Sequence, residues 1–441
     1  MTITILLEFV VVLAAIWMGA RTSGLGLGLW GAVGLLVLVV VFGVSPTSPP
    51  IDVMLIILAV IMAASVMDAA GGINFLVHIA SRVIRAHPRY VTLVAPLTTW
   101  TFTFLAGTGH IVYPLLPVIY ETAHQNGIRP ERPMAIATIA SQQAITASPV
   151  AAATAAMIGL FAEKGVHGWG LAQIILICVP ATLIGVMAGA VVSMFLGKDL
   201  AKDPDYQARL RAGQIPPPAP LVERPNLQPR AKLSAYVFLA GVALVVMFGF
   251  FPTLRTVPGV KAPLEMPVVI EIIMMSVAAL MLVLTKVKVD EVPKTATLRA
   301  GVVAVIGIFG LAWLGDSFIT ANKSVIVPAI ESMTQAAPWT FAFGLFFASV
   351  LLYSQAATTR ALMPLGLALG IPPQFLVAMF PSVNGYFFIP TYGSLIAAIN
   401  FDLSGTTRIG RYVLNHSFMV PGLVATVGAV TSGLLIAQVI Y

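Results

Sequence analysis

The segment SQQAITASP, residues 141–149, places polar side chains in close succession between two long apolar stretches. A soluble loop carries such residues without consequence, but a polar group left unpaired inside a lipid bilayer costs several kcal/mol. The polar members are Ser141, Gln142, Gln143, Thr146 and Ser148. The segment therefore predicts a membrane helix that is unwound at this point and forms one wall of a binding site.

The composition of the whole chain supports a membrane location. Of its 441 residues, 59% are hydrophobic and 9% are charged, whereas soluble proteins are about 25% charged. Residues 3–20, 24–44 and 234–251 are long enough to cross a bilayer, which takes roughly 17–25 residues per helix. Cys178 is the only cysteine, so we predict no intramolecular disulfide, no metal site and no cofactor. The net charge of +7 is expected to set orientation rather than to bind nucleic acid.

A polar, proline-rich stretch at residues 198–233 divides the chain into two halves, 1–197 and 234–441. Its composition predicts a flexible linker. Because basic residues exceed acidic ones in it, we place the linker in the cytoplasm.

Working outward from the linker gives the topology of the first half. The basic residues near Arg85 and Arg129 are both expected on the cytoplasmic side. Residues 90–123 between them must then enter the membrane and return, as a re-entrant hairpin broken at the sequence GTGH. Residues 133–161 cross once, and SQQAITASP interrupts that crossing.

The second half repeats this plan upside down. A second hairpin is predicted at residues 339–369 with SQAATTR at its tip, and a second broken helix at 375–399 around PSVNGYFFIPTYG. The expected fold is an all-α polytopic membrane protein with two inverted-topology repeats, each of five transmembrane spans plus one re-entrant hairpin. Both chain termini are predicted on the periplasmic side. Such repeats with paired broken helices are typical of secondary transporters.

The four interrupted elements carry hydroxyls, amides, small residues and one cation, with no carboxylate, which suits an anionic substrate. Helix N-termini and side-chain donors bind carboxylates, and an arginine holds one through two parallel hydrogen bonds. The predicted substrate-binding residues are Thr108, Gly109, His110, Gln142, Gln143, Thr146, Ser148, Ser354, Gln355, Thr358, Thr359, Arg360, Asn384 and Thr391.

Structural roles compete with binding for several of these residues. Arg360 lies six residues beyond Ser354 and is also suited to bracing the hairpin. His110 is equally suited to donating to a carbonyl in its own hairpin. Gln142 and Gln143 cannot both face one cavity from a regular helix. Outside this set, we expect Asp316 to cap a helix or to form an ion pair, with Lys323 as the nearby candidate.

Other function classes fit the sequence less well. An enzyme needs a nucleophile with its base or a metal cluster, and neither HExxH nor GxSxG occurs. A channel shares broken helices but does not need two matched hairpins. The residues also leave open a proton- or sodium-coupled uptake or efflux carrier.

Four long motifs resemble the anaerobic four-carbon dicarboxylate (Dcu) transporter family. They are GTGHIVYPLLPVI (107–119), NGIRPERPMAIATIASQQAITASP (126–149), SQAATTRALMPLGLALGIPP (354–373) and a stretch from FPSVNGYFF to NHSF (380–418). The resemblance extends from the first hairpin to the last helix.

This resemblance implies a carrier of the bacterial inner membrane that exchanges fumarate, malate or aspartate for succinate. It also implies membership of the ion transporter superfamily, whose members often dimerise and use an elevator mechanism, in which a transport domain moves along a scaffold. Some members of the family partner a membrane sensor kinase. Superfamily relatives often carry Ser-Asn-Thr at the hairpin tips, where this chain has GTGH and SQAAT.

Overall fold

The structure is a computed structural model, and the regular elements of its described residues are helices. The described residues are 3–22, 25–215, 229–256, 263–325, 337–352, 354–390, 392–410 and 414–441. An isolated β-bridge joins Ile409 to His416. Helices suit so apolar a chain, because each one satisfies its backbone hydrogen bonds within a single segment.

The helices are numbered in chain order. Those of the first half are α1 (Ile3–Thr22), α2 (Gly26–Phe42), α3 (Ile51–Ala69), α4 (Gly72–Ala86), α5 (Val91–Ala106), α6 (Val112–Gln125), α7 (Glu131–Gln143), α8 (Ala152–Glu163), α9 (Leu171–Ser193) and α10 (Pro204–Arg211). Those of the second half are α11 (Pro229–Phe250), α12 (Met266–Thr285), α13 (Ala296–Gly307), α14 (Trp313–Ala321), α15 (Phe341–Leu352), α16 (Gln355–Ala368), α17 (Pro373–Met379), α18 (Gly393–Phe401) and α19 (Met419–Ile440). A π-helical turn joins α13 to α14, and a 3-10 segment at Phe380–Phe387 continues α17.

Six of the described helical segments are long and apolar enough to cross a membrane: α3, α9, α11, α12, the continuous α13–α14 and α19. Four shorter apolar segments lie in α1, α2, α8 and α15. The sequence predicts ten crossings, so at most six of them have a single long apolar helix, and the prediction of the other four rests on shorter or interrupted segments.

The break between α5 and α6 depends on a glycine. Gly107 follows α5 with φ +70°, in the left-handed region that favours glycine. A Cβ atom at Gly107 would also lie 2.5 Å from the carbonyl oxygen of Val150. The break in α5–α6 thus packs directly against the break in α7–α8.

Hydroxyl groups hold these two breaks together. Ser148 donates to the carbonyl of Phe104 at 2.7 Å, and the hydroxyls of Thr103 and Ser141 are 2.9 Å apart. Ser141 also donates to the carbonyl of Gly109 at 3.1 Å. The polar groups of SQQAITASP therefore satisfy backbone carbonyls that unwinding leaves unpaired.

The interrupted helices pack with α9 and α19 into a core, and the remaining helices flank it. Within the core, α9 lies along α19, and a Cβ at Gly185 would come 2.2 Å from the carbonyl oxygen of Ala425. This contact requires glycine. Among the flanking helices, α2 packs against α13 and its π-helical turn, and α3 packs against α12.

Part of the stretch predicted to be a flexible linker is folded. Helix α10 lies within it, and α11 begins at Pro229, five residues before the predicted Ser234. The side chain of Asp203 caps α10 and pairs with Arg129. Partial burial opposes ionisation of Asp203, but hydrogen bonds from Arg129 and from backbone amides lower its pKa. The ion pair thereby ties the first part of the linker to the start of α7.

Candidate functional site

A cavity of about 620 Å³ lies where the interrupted helices meet. Most of its wall comes from the first residues of four helical segments: the 3-10 turn that leads into α6, and helices α8, α16 and α18. The lining residues at these helix starts are Thr108, Gly109, His110, Ala152, Ala153, Ser354, Gln355, Ala356, Ala357 and Gly393. The positive ends of four helix dipoles therefore point towards one space.

Two of these helix starts are capped by hydroxyl side chains. Thr108 accepts a hydrogen bond from the backbone N–H of His110 at 3.3 Å, and Ser354 accepts one from the N–H of Ala357 at 3.2 Å. A capped helix still presents its dipole, but one of its N–H groups is already occupied.

The other two starts have no comparable cap at the residues that face the cavity. Helix α8 follows Ala151, which has no polar side chain, and begins with Ala152 and Ala153 at the cavity wall. Helix α18 begins with Gly393, which has no side chain to cover its N–H. The N–H groups in the first turn of a helix lack intrahelical partners, so these two starts can donate to a bound anion.

A chain of amide side chains crosses from one half of the protein to the other. Gln355 donates to Gln142 at 3.1 Å and to Asn384 at 3.2 Å. Asn384 in turn donates to Gln143 at 3.2 Å, and Gln143 donates to Thr426 at 2.8 Å. Within this chain, Gln142 and Gln355 line the cavity, whereas Gln143 and Asn384 lie behind its wall.

The remaining hydroxyls predicted at the site donate hydrogen bonds to backbone carbonyls and do not line the cavity. Thr146 donates to the carbonyl of Gln143, Ser148 to that of Phe104, Thr358 to that of Ser354 and Thr359 to that of Gln355, at distances of 2.7 to 2.9 Å. Their contribution is to the shape of the breaks. Thr391 lies outside the described residues.

Arg360 is buried but turned away from the cavity. Its side chain is 6% exposed, and its Nη1 lies 2.9 Å from Glu163 Oε2 at the end of α8. The neighbouring Lys164 lies 3.5 Å from Asp316 on α14, so Asp316 pairs with Lys164 rather than with Lys323. These two ion pairs connect the second hairpin, the first broken helix and a flanking helix.

Several lining residues were not predicted from the sequence. Tyr113 stacks on His110 with ring centroids 5.8 Å apart, and a side chain at Gly393 would come within 2.7 Å of the Tyr113 hydroxyl. Tyr392 lines the same wall. The spacing of three residues between His110 and Tyr113 on one helical turn was the available signal for the first tyrosine.

A wall of small and apolar residues closes the cavity on the side of the flanking helices. It is formed by α13 through Ala300, Val303, Ala304 and Gly307. Their spacing of three and four residues marks one face of a helix, but nothing in the sequence indicates that this face meets the cavity. Among the described lining residues there is no carboxylate and no guanidinium, and His110 is the one basic side chain.

Comparisons with known proteins agree on the family. The sequence model of the anaerobic C4-dicarboxylate membrane transporter family matches residues 4–441. The chain is 39% identical to the anaerobic C4-dicarboxylate transporter DcuB of Escherichia coli O6:H1, and the alignment covers 95% of each chain. It is 40% identical to the C4-dicarboxylate transporter DcuA of Wolinella succinogenes, over 98% of this chain and 99% of the relative.

Solved structures with a similar fold are also transporters. The YdaH transporter of Alcanivorax borkumensis aligns with a TM-score of 0.56 at 13% identity, over 92% of this chain and 89% of its own. Neisseria gonorrhoeae MtrF, described as illuminating a class of antimetabolite efflux pumps, aligns with a TM-score of 0.54 at 12% identity, over 93% and 85%. At these identities the likeness concerns the fold alone. The whole-chain family match and the relatives near 40% identity show that the chain belongs to the anaerobic C4-dicarboxylate membrane transporter family, as a multi-pass membrane transporter and not an enzyme.

Proposed function

We propose that this chain exchanges four-carbon dicarboxylates across the bacterial inner membrane, taking up fumarate, malate or aspartate and releasing succinate. The observation that carries the proposal is the meeting of four helix starts at one cavity whose described lining contains no carboxylate. Such a site favours anions, because four helix starts present their positive ends to the cavity.

The two carboxylates of the substrate have separate partners in this proposal. One binds the first turn of α8 at Ala152 and Ala153, and the other binds the start of α18 at Gly393. These starts belong to the two broken helices, one from each half of the chain. A four-carbon chain then bridges the halves, which explains why a dicarboxylate would be held more tightly than a monocarboxylate.

Side chains that line the cavity also orient the bound substrate. The NH₂ group of Gln142 supplies a donor to the cavity. Gln355 orients Gln142, because its own NH₂ group already donates to Gln142 and to Asn384. His110, when protonated, supplies the one formal positive charge in the described lining. Arg360 is assigned a bracing role through Glu163, since it does not reach the cavity.

We further propose two inverted repeats, at 1–197 and 234–441, that move by an elevator mechanism. The packing supports this: α2 lies against α13, and α12 lies against α3, so the second helix of each half meets the third helix of the other. In this mechanism the hairpins and broken helices move past the flanking helices. We carry over from the family resemblance a homodimer formed by the flanking helices. A membrane sensor kinase is a partner of some members of the family and is not assigned to this chain.

Exchange follows from the electrostatics of the site. An empty cavity surrounded by helix N-termini is electropositive, and moving it through lipid is unfavourable. A bound dianion neutralises that field, so the loaded carrier crosses more easily than the empty one. The alternative is a proton- or sodium-coupled carrier, and the position of His110 in the lining favours its proton-coupled form.

The test is uptake of radiolabelled succinate into proteoliposomes preloaded with fumarate, with succinate or with buffer alone. Rapid uptake only into vesicles that contain a dicarboxylate is the expected result for an obligatory exchanger. Equal uptake into buffer-loaded vesicles, driven by a proton or sodium gradient, would replace exchange by the coupled alternative. Uptake that internal substrate does not accelerate would indicate a channel.

A further inference from the structure

A second cavity, of about 510 Å³, lies at the C-terminal end of α9. It is separate from the substrate cavity and shares no lining residue with it. The side chains around it are of two kinds, charged and apolar: Arg132, Lys198, Lys202, Asp199, Met194 and Phe195. Three cations thus face one carboxylate across a space that no part of the described chain fills.

Arg132 builds the rigid side of this cavity. Its Nε donates to the carbonyl of Leu196 at 2.8 Å, and its Nη2 donates to the carbonyl of Gly197 at 3.1 Å. Nη2 also lies 3.0 Å from the carboxylate of Asp199. The side chain of Arg132 is 15% exposed, and within the described residues its Nη1 makes no hydrogen bond. A guanidinium held by three contacts therefore keeps one nitrogen available as a donor.

The two lysines contribute charge that the protein does not neutralise. Lys198 and Lys202 are exposed, and neither forms an ion pair with another described residue. The single carboxylate of the cavity, Asp199, is already engaged by Arg132. The cavity is therefore a local excess of positive charge.

The apolar residues place the cavity at the edge of the membrane. Met194 and Phe195 follow directly after α9, a 23-residue apolar helix that is long enough to span a bilayer. Their side chains are 41% and 80% exposed. Aromatic side chains at the end of a membrane span lie at headgroup level, next to acyl chains on one side and phosphate groups on the other.

We propose that this cavity binds the phosphate group of an anionic phospholipid, with the acyl chains against Phe195 and Met194. Arg132 and the two lysines contact the phosphate, and the apolar pair distinguishes a lipid from a free phosphate ion. The site lies on the loop that follows α9 and on the first turn of α7, so a bound lipid also ties these two helices together.

The test is a titration of the purified full-length protein in detergent with phosphatidylglycerol, phosphatidylcholine or inorganic phosphate. Binding is measured by native mass spectrometry, and stabilisation is measured as the change in unfolding temperature. Phosphatidylglycerol is expected to bind and to raise the unfolding temperature, whereas the other two have little effect. The paired substitution Lys198→Ala and Lys202→Ala is expected to weaken phosphatidylglycerol binding by about tenfold or more, because each basic side chain at an anionic headgroup contributes appreciably.

A matched control is the paired substitution Lys286→Ala and Lys288→Ala, which removes two exposed lysines at the end of another membrane-spanning helix, α12. It is expected to leave phosphatidylglycerol binding unchanged.

Three outcomes would contradict the proposal. An equal loss of phosphatidylglycerol binding in both paired variants would show only a general attraction of the lipid to surface charge. Retained binding after loss of Lys198 and Lys202 would overturn the proposal, and protection by inorganic phosphate equal to that by the lipid would assign the site to a free anion. None of these outcomes depends on the transport activity.

Discussion

The cavity between the helix starts and the region outside it differ in the kind of charge that they contain. The described lining of the cavity presents helix starts, amides and one histidine, and contains no carboxylate or guanidinium. Outside it, several charged side chains are paired: Arg360 with Glu163, Lys164 with Asp316, and the buried Arg129 with Glu131 and Asp203. These formal charges connect helices to one another, whereas the cavity is lined mainly by the partial charges of helix starts and amides.

The difference suits a carrier that has to release what it binds. Each helix start contributes about 0.3–1 kcal/mol towards binding an anion, so several together give a moderate affinity that can be reversed on both sides. A buried guanidinium paired with a substrate carboxylate is more difficult to separate, because breaking a buried ion pair leaves an uncompensated charge.

The largest effect is expected when a fixed negative charge is placed at one helix start. Ala152→Asp adds a carboxylate to the first turn of α8, where it occupies the N–H groups and repels the substrate. We expect exchange to fall by at least about 100-fold, measured as succinate counterflow in proteoliposomes. Ala152→Asn is the control, since it has nearly the same volume without the charge and is expected to keep much more activity. Equal activity of the two variants would show that α8 does not bind a carboxylate.

The next effect tests whether Arg360 braces the protein or binds substrate. Arg360→Gln leaves Glu163 without its partner and is expected to lower the free energy of unfolding by about 1–3 kcal/mol, less than for a fully buried pair because Glu163 is 26% exposed. Adding Glu163→Gln removes the unpaired charge and is expected to restore stability and exchange together. If the double variant folds well and still fails to transport, Arg360 contacts the substrate at some stage of the cycle.

A smaller and more specific effect separates the two adjacent glutamines. Gln142→Leu removes a donor from the cavity and one of the two acceptors of Gln355. It is expected to raise the KM for succinate about tenfold and to lower the unfolding temperature only slightly, because Gln355 keeps its bond to Asn384. Gln143→Leu instead removes a buried acceptor of Asn384 and the donor to Thr426, so the unfolding temperature is expected to fall further while the KM stays near that of the parent. The reverse pattern in these two measurements would place Gln143 at the substrate.

The smallest effect is expected at the most exposed ion pair. Lys164→Ala removes a contact to Asp316 whose partners are 40% and 21% exposed, so the loss of stability should stay below about 1 kcal/mol. High salt should abolish the difference between this variant and the parent. A change in exchange rate without a change in stability would assign Lys164 a part in the movement of α8 past α14.

The positions of the helix breaks were accessible from the sequence. Apolar runs interrupted by Gly107, by SQQAITASP and by PSVNGYFFIPTYG predict unwound segments, because such residues are costly within a membrane helix unless they serve a site. The structure ends α5, α7 and α17 at or near these residues. What the pattern did not predict is the folded helix α10 within the proposed linker.

The sequence by itself determined the class of protein and the approximate places where its helices break, since these follow from composition and local spacing. The tertiary structure decided which polar residue of each break faces the cavity. It assigned Gln142 to the lining and Gln143 to Thr426, 283 residues away, and it paired Arg360 with Glu163, 197 residues away. It also brought the small-residue face of α13 to the cavity wall. These assignments depend on how distant helices pack, and the sequence of one segment carries no information about the helix that lies against it.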